Sequence, residues 1–359
     1  MRRESVPRGD WDSPFPVPGA LGHAPFARRK VVLPIAAAAL MIGAAIITGC
    51  AAASPNSSPE NPAVELRRDD AAGRLTVFID GREALVYQYA TALDLPHYWP
   101  MNSPAGKNML VEHPDPYPHH RSFWFADTVR LDGGRDVSVY NALYSGQKTG
   151  ETTYGPPYKD HIRHGAFTVI EASGSRAVVE ARLIWEMDGD RPVLDEKRRL
   201  IVRALGDGEY LLDLVFELKA AYGDVTFVSD AVHYAWPFLR LQTRWSGEGG
   251  GRIITSTGAA GEKATNLQPA LWLDYSNAVE GETAGVAVFQ WPDGRGHRWL
   301  TREYGTFGPR RPDEQSGVPF TLKKGSSLSQ RVGVLVHRGD LAGGRVAERY
   351  RAYIEGRWR

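Results

Sequence analysis

The stretch EHPDPYPHHRSFWF at 112–125 gathers His113, His119, His120 and Arg121 beside an aromatic run that includes Trp124. Imidazoles titrate near neutral pH and suit general acid–base work. A guanidinium can hold a carboxylate, a keto oxygen or an enolate. YKDHIRHGAF at 158–167 crowds Asp160, His161, Arg163 and His164. SDAVHYAWPFLRL at 229–241 brings Asp230, His233 and Arg240, and HRWLTREYGTFGPRR at 297–311 sets Glu303 and Tyr304 among arginines. Seven of the ten histidines fall in these four clusters. A fifth charged run, WEMDGDRPVLDEKRR, reads as turn and exposed-face residues. Each lone histidine also has a plain reading as a hydrogen-bonded surface or loop side chain, and the tryptophans as core.

The elements that must position these groups are strands. Pro114, Pro116 and Pro118 remove backbone donors and fix φ, so 113–120 is a stiff loop and not a central strand. It feeds the expected strand RSFWFADTVRL. In a loop His113, His119 and His120 can converge; in a strand His119 and His120 would point to opposite faces.

From Val64 onward strand follows turn follows strand. RLTVFIDGREALVYQY is two alternating runs around DGRE, a hairpin signal. The segment RAVVEARLIWEMDGDRPVLDEKRRLIVRALGDGEYLLDLVFELKA is three long runs, with Val179, Ala181, Leu183 and Trp185 on one side of the first. Only the end is helical: Val346, Tyr350 and Ile354 fall at i, i+4 and i+8, with Asp340 as the expected N-cap. The fold class is therefore all-β: a large antiparallel β-sandwich over 64–359 with a C-terminal helix. A galactose-mutarotase-like super-sandwich is the preferred version by fold analogy.

Composition sets further bounds. Of 359 residues, 42% are hydrophobic and 24% charged, with a net charge of +1. Residues 1–49 hold six basic and three acidic groups, a net of +3, which leaves about −2 for the rest and no electrostatic support for a nucleic-acid partner. The single cysteine, Cys50, excludes a disulfide within the chain and a thiolate zinc cluster. A metal, if any, falls to His, Asp or Glu.

Residues 28–50, RRKVVLPIAAAALMIGAAIITGC, place a basic run before an apolar stretch that ends in small residues, the layout of a secretory signal. ITGC at 47–50 resembles a bacterial lipobox, which implies cleavage before Cys50, acylation of that cysteine and an anchor in the cell membrane. ARRKVV loosely resembles a twin-arginine signal. The alternative is a single transmembrane anchor, since the stretch is just long enough to span. The expected organisation is an extension and signal over 1–49, a flexible linker over 50–63 and one β domain over 64–359. No apolar run of about 20 residues follows Cys50.

EHPDPYPHHRSFWFA, VLDEKRRL, GDVTFVSDAVHYAWPFLRL, GRIITSTGAAGE, LWLDYS, REYGTFGP and VHRGD, in that order, resemble the PmoA-like family, which carries the label methane oxygenase PmoA. PHHRSFWFA is the most specific part. The family commonly has a KEG-like element before the arginine at the position of Arg240; here the run is AVHYAWPFLR, which departs from it. The resemblance implies a secreted protein in a carbohydrate context.

Three functions follow as expectations. The favoured one is a carbohydrate-active enzyme (epimerase, lyase or hydrolase) with His119, His120, His161 and His164 as acid–base groups. His113, Arg121, Trp124, Asp160, Arg163, His233, Arg240, Glu303 and Tyr304 would bind the substrate. The second is a metal-dependent hydrolase or oxygenase holding a divalent ion with His113, His119, His120 and Asp160 or His161. No H-E-x-x-H motif supports it, and the first reading needs no cofactor. The third is a non-catalytic glycan-binding envelope lipoprotein.

Overall fold

In a computed structural model of the chain, residues 62–117, 119–138, 159–228 and 235–358 are described. The signal segment, Cys50 and most of the linker lie outside them, as do Asp230 and His233. In chain order the first strands are β1 (Val64–Asp69), β2 (Arg74–Ile79), β3 (Arg82–Gln88), β4 (His97–Met101), β5 (Phe123–Trp124), β6 (Thr128–Leu131) and β7 (Val137–Ser138). Next come β8 (His161–Ser173), β9 (Arg176–Met187), β10 (Arg191–Gly206), β11 (Glu209–Lys219), β12 (Val225–Phe227), β13 (Phe238–Arg240) and β14 (Arg252–Thr255). The last are β15 (Trp272–Val279), β16 (Glu282–Gln290), β17 (His297–Thr301), β18 (Thr306–Pro312), β19 (Phe320–Leu322) and β20 (Ser327–Arg338).

These strands form three sheets, all paired antiparallel. One runs β1-β2-β3-β4-β5-β13-β18-β17, another β14-β15-β16-β20-β11-β10-β9-β8, and a small one β19-β12-β6-β7. The architecture is all-β, as the alternation implies. Val179, Ala181, Leu183 and Trp185 on β9 are buried while Arg182 between them is exposed. Their face packs on the first sheet: Leu75, Val77, Leu85, Tyr87 and Tyr98 join Val179, Ala181 and Leu200 in one core. Polar ties cross the same gap. Tyr210 Oη donates to the Ala84 and Asn102 carbonyls (3.1 and 2.7 Å).

The fifth charged run corrects the expectation of turn and exposed-face residues. Glu196 and Arg198 are each 2% exposed, inside the core. Arg198 Nε donates to Glu196 Oε1 (2.7 Å), Trp185 Nε1 to Glu196 Oε2 (2.9 Å), and Arg198 Nη1 to the Pro96 carbonyl (3.0 Å). On β10 these two residues are in phase with Leu200 and Val202, so the period of two points them inward.

RSFWFADTVRL is likewise not one strand. It splits into β5 in the first sheet and β6 in the small one, with Phe125–Asp127 buried between them. Two α-helices are present among the described residues, α1 (Glu262–Thr265) and α2 (Val346–Ile354), besides a 3-10 turn at Thr243–Trp245. Val346, Tyr350 and Tyr353 of α2 pack on Phe289 and Leu335, the outer face of the second sheet. Its N-cap is Arg345, in the left-handed region at φ 46°, and not Asp340. Asp340 Oδ1 accepts from Ala342 and Gly343 N–H (both 3.1 Å) in the turn ahead of the helix. Gly344 holds the chain against the His337 ring, where a Cβ would sit 2.1 Å from Nδ1. No helix of the described residues is long and apolar enough to cross a membrane.

Candidate functional site

The loop at 111–122 is closed on itself and fastened to β13. His113 N–H donates to the His120 carbonyl (3.0 Å), Tyr117 N–H to Pro114 O (2.7 Å) and His120 N–H to Tyr117 O (3.0 Å). Val111 N–H donates to Arg240 O (3.1 Å), and Arg240 N–H to Ser122 O (2.6 Å). Ser122 takes φ 82°, turning the chain into β5, and its hydroxyl donates to Val111 O (3.0 Å). His119 and His120 therefore lie in the loop and come together, with ring centroids 4.5 Å apart.

Around them the strands supply aromatic walls. His120 stacks on Tyr117 at 5.0 Å and lies 5.3 Å from Trp124. Trp124 stacks on its cross-strand partner Phe238 at 4.7 Å. Tyr117 stacks in turn on Tyr304 at 5.2 Å, and the Arg240 guanidinium sits 4.5 Å from the Tyr304 ring. Thr306, the cross-strand partner of Arg240, places Oγ1 3.5 Å from His120 Nδ1. One cluster thus draws on the loop, β5, β13 and β18.

Its electrostatics are set by burial. His119 and His120 are 8% and 7% exposed. Burial, then the Arg121 charge, lowers His119 to about 3. Burial, then His119 and Arg240, holds His120 well below its ordinary value. Both are neutral imidazoles at pH 7, each with one N–H and one lone pair. Burial, then Tyr117, pushes the Tyr304 phenol up to about 12, so it is a donor and not an anion. Arg240 is 5% exposed, and its Nε and Nη1 have no hydrogen-bond partner among the described residues.

Arg121 is placed differently. It is 1% exposed, and Asp94 takes it through Nε (3.1 Å) and Nη2 (2.7 Å). Its Nη1 lies 2.8 Å from Nδ1 of the exposed His113. Glu112 Oε1 is 2.6 Å from His97 Nε2, and His97 Nδ1 donates to Leu95 O (3.0 Å). Burial pushes the Glu112 carboxyl up, but His97, His113 and Arg121 outweigh it and keep it below its usual range. Asp94 and His97 are residues that the sequence reading missed. Each stands alone in the apolar run LDLPHYWP, with no polar cluster to mark it.

The second cluster does not join the first as a site. Arg135 Nη1 holds Asp160 Oδ2 at 2.8 Å and Arg135 Nη2 holds Asp188 at 2.8 Å. His161 Nε2 lies 2.7 Å from Glu186 Oε2, and Arg163 Nη2 donates to the same oxygen (2.6 Å). His161 and Glu186 are cross-strand partners on β8 and β9. His164 packs between the Tyr89 and Phe167 rings at 4.7 and 4.4 Å. Burial, then Arg198, lowers it to about 4. His161 and His164 are thus held by different sets of partners. What links the clusters is Asp94, whose carboxylate holds Arg121 and whose carbonyl accepts Ile162 N–H (2.8 Å).

Glu303 is a second correction. Its Oε1 accepts Glu262 N–H (2.9 Å), and its own N–H donates to Glu262 Oε2 (2.7 Å), a reciprocal cap on α1. The turn closed by Gly305 N–H to Arg302 O sends Tyr304 to the histidine cluster and Glu303 away from it. The expected ligand set of His113, His119, His120 and Asp160 or His161 is not assembled either. Among the described residues no group of three His, Cys, Asp or Glu is arranged to hold a metal ion.

No curated protein matches this chain in sequence. Among solved structures it is similar to the GH36 α-galactosidase AgaA from Geobacillus stearothermophilus (10% identity, TM-score 0.43), covering 78% of this chain and 41% of that one. Galactose 1-epimerase from Lactobacillus acidophilus NCFM follows at 9% identity and TM-score 0.33, covering 79% of this chain and 100% of that one. A polysaccharide lyase, BACCELL_00875, stands at 13% identity and TM-score 0.31, covering 81% and 34%. The chain spans about two fifths of the α-galactosidases it matches. These neighbours are carbohydrate enzymes by name, but likenesses this distant carry no activity across. A sequence family matches over residues 74–351, and the chain belongs to it: the "Family of unknown function (DUF6807)".

Proposed function

We propose that this protein acts on a carbohydrate by acid–base chemistry at the cluster of His119, His120, Tyr117, Tyr304 and Arg240. The observation that carries the reading is a buried guanidinium with two unbonded nitrogens, set at the end of the His120–Tyr117–Tyr304 stack. Half-buried Tyr117 and Tyr304 offer ring surface to the apolar face of a sugar. The neutral imidazoles offer an N–H to a hydroxyl or ring oxygen and a lone pair to a proton. On their own they are weak bases. Negative charge entering beside Arg240 offsets the charge that depresses His120 and raises its basicity when the ligand is present.

A second reading, glycan binding without turnover, is favoured by the burial of both histidines and their low basicity. The test incubates the full-length protein with a panel of glycosides and keto-sugars and follows products by mass, with and without chelator. His120→Ala is expected to lower turnover about 10²–10⁴-fold. Glu186→Gln, in the second cluster, is expected to leave turnover within about twofold, since Glu186 holds His161 and Arg163 and not the loop histidines. Binding of a sugar without product selects the second reading. Full turnover in both His119→Ala and His120→Ala sinks the first.

The reading places the protein outside the cytoplasm, held to the membrane by lipid on Cys50. The support is the segment RRKVVLPIAAAALMIGAAIITGC, and the secreted carbohydrate context agrees with the PmoA-like resemblance. Mass analysis of the N-terminal peptide of the mature protein checks it. A lipidated Cys50 at the N-terminus is the expected result; an unmodified Cys50 inside an uncleaved chain removes the anchor.

A further inference from the structure

Four buried arginines in this fold are matched to carboxylates. Arg121 faces Asp94, Arg198 faces Glu196, Arg311 faces Asp127 and Arg349 faces Glu209. Arg240 is as deeply buried as these, yet among the described residues no carboxylate pairs with it, and neither Nε nor Nη1 has an acceptor. A guanidinium does not escape such burial by losing its proton. The Tyr304 ring under it returns only a cation–π contact, which does not offset the desolvation of an unpaired ion.

The backbone of Arg240 is itself pinned at both ends to the histidine loop, so the side chain is set in place before any ligand arrives. A preorganised buried cation with free donors is the arrangement that receives an anion. The two imidazoles and Thr306 beside it add neutral donors and acceptors, which suit hydroxyl groups.

We infer that the ligand of this site is a sugar bearing a carboxylate, a uronate or aldonate unit, whose negative charge is received by Arg240. The inference rests on the carbohydrate reading and narrows it. The carboxylate replaces the partner that the other buried arginines find within the chain. The neighbouring hydroxyls fall to His120 and Thr306, and the ring to Tyr117 and Tyr304.

The test is thermal unfolding and calorimetric titration of the full-length protein with four probes: galacturonate, a galacturonate oligomer, the matching neutral galactose compounds, and acetate. The uronates should raise the melting temperature and bind about 10–100-fold tighter than their neutral counterparts, the worth of one charge-assisted hydrogen-bonded contact. The monomer and oligomer arms separate a free sugar acid from a polymer chain. Arg240→Gln should abolish the preference without lowering the melting temperature of the free protein, because it removes an unpaired buried charge. Arg240→Lys, which keeps the charge, should retain part of the preference. Equal binding of acidic and neutral sugars overturns the inference and leaves the carbohydrate reading standing. Arg240-dependent binding of acetate with no binding of any sugar keeps the carboxylate site and removes the carbohydrate reading. No binding of any carboxylate, or a preference unchanged in Arg240→Gln, overturns the inference outright.

Discussion

The loop cluster at 113–124 and the strand cluster at 160–164 are built from the same residue types, and they differ in what answers their charges. In the strand cluster each of these charges is met by an opposite one: Asp160 by Arg135, and His161 and Arg163 by Glu186. In the loop cluster Arg121 is met by Asp94, but Arg240 has no carboxylate partner among the described residues. Its neighbours are aromatic faces and two imidazoles kept neutral. Satisfied charge is what a fold needs; an unsatisfied buried charge is what a ligand can complete. The lesson is that density of polar residues along a chain does not separate the two cases, whereas pairing in space does.

The largest expected effect tests the paired arginine. Asp94→Asn leaves Arg121 buried without its counter-charge, which costs about 3–5 kcal/mol and shows as a large fall in melting temperature. The matching change on the other side, Arg240→Gln, should cost nothing. If the two variants lose the same stability, the distinction between a structural and a receiving arginine collapses.

Much of the fold was legible because alternation is local. The hairpin around DGRE, the three long strands from 176 to 219 and the helix at the end all follow from periods of two and 3.6. The same period, applied strictly to VLDEKRRLIV, points Glu196 and Arg198 to the Leu200 face; charge alone argued for the surface and lost. The loop reading of His119 and His120 rested on proline chemistry and matches where they lie. The site's assembly was less legible. Tyr304 and Arg240 reach the histidines through the pairing of β13 with β18, a contact between residues more than sixty positions apart. Glu303 and Tyr304 are adjacent in sequence, yet one caps α1 and the other stacks on Tyr117. Asp94 and His97 carry no signal, since a lone polar residue in an apolar run has the same look whether it holds an arginine or only itself.

The smaller effect concerns acid. A histidine whose folded pKa is depressed takes up its proton more readily when unfolded, so its contribution to stability is complete above the unfolded value of about 6.5 and drains away as pH falls. For His119 that window runs from about 6.5 down to about 3, and for His164 down to about 4. His120 is shifted in the same direction. Asp127 runs the other way. Burial, against the pull of Arg311, raises it to about 6, so its share is complete below about 3.8 and is lost as pH rises through 6. His337 also runs this way: burial lowers it, but the hydrogen bond and charge of Asp274 outweigh burial and raise it. Three groups against two leave a net loss of stability on acidification, at about 1.4 kcal/mol per pH unit for each uncompensated proton. Thermal unfolding between pH 7 and pH 4 should therefore show a falling melting temperature. His119→Gln with His120→Gln should flatten that fall more than His164→Gln does, because the loop pair holds two of the three depressed imidazoles. A slope unchanged in the double variant would mean that the loop histidines are not held neutral by burial, and that the loop cluster is open to solvent in the same degree as the strand cluster it is contrasted with.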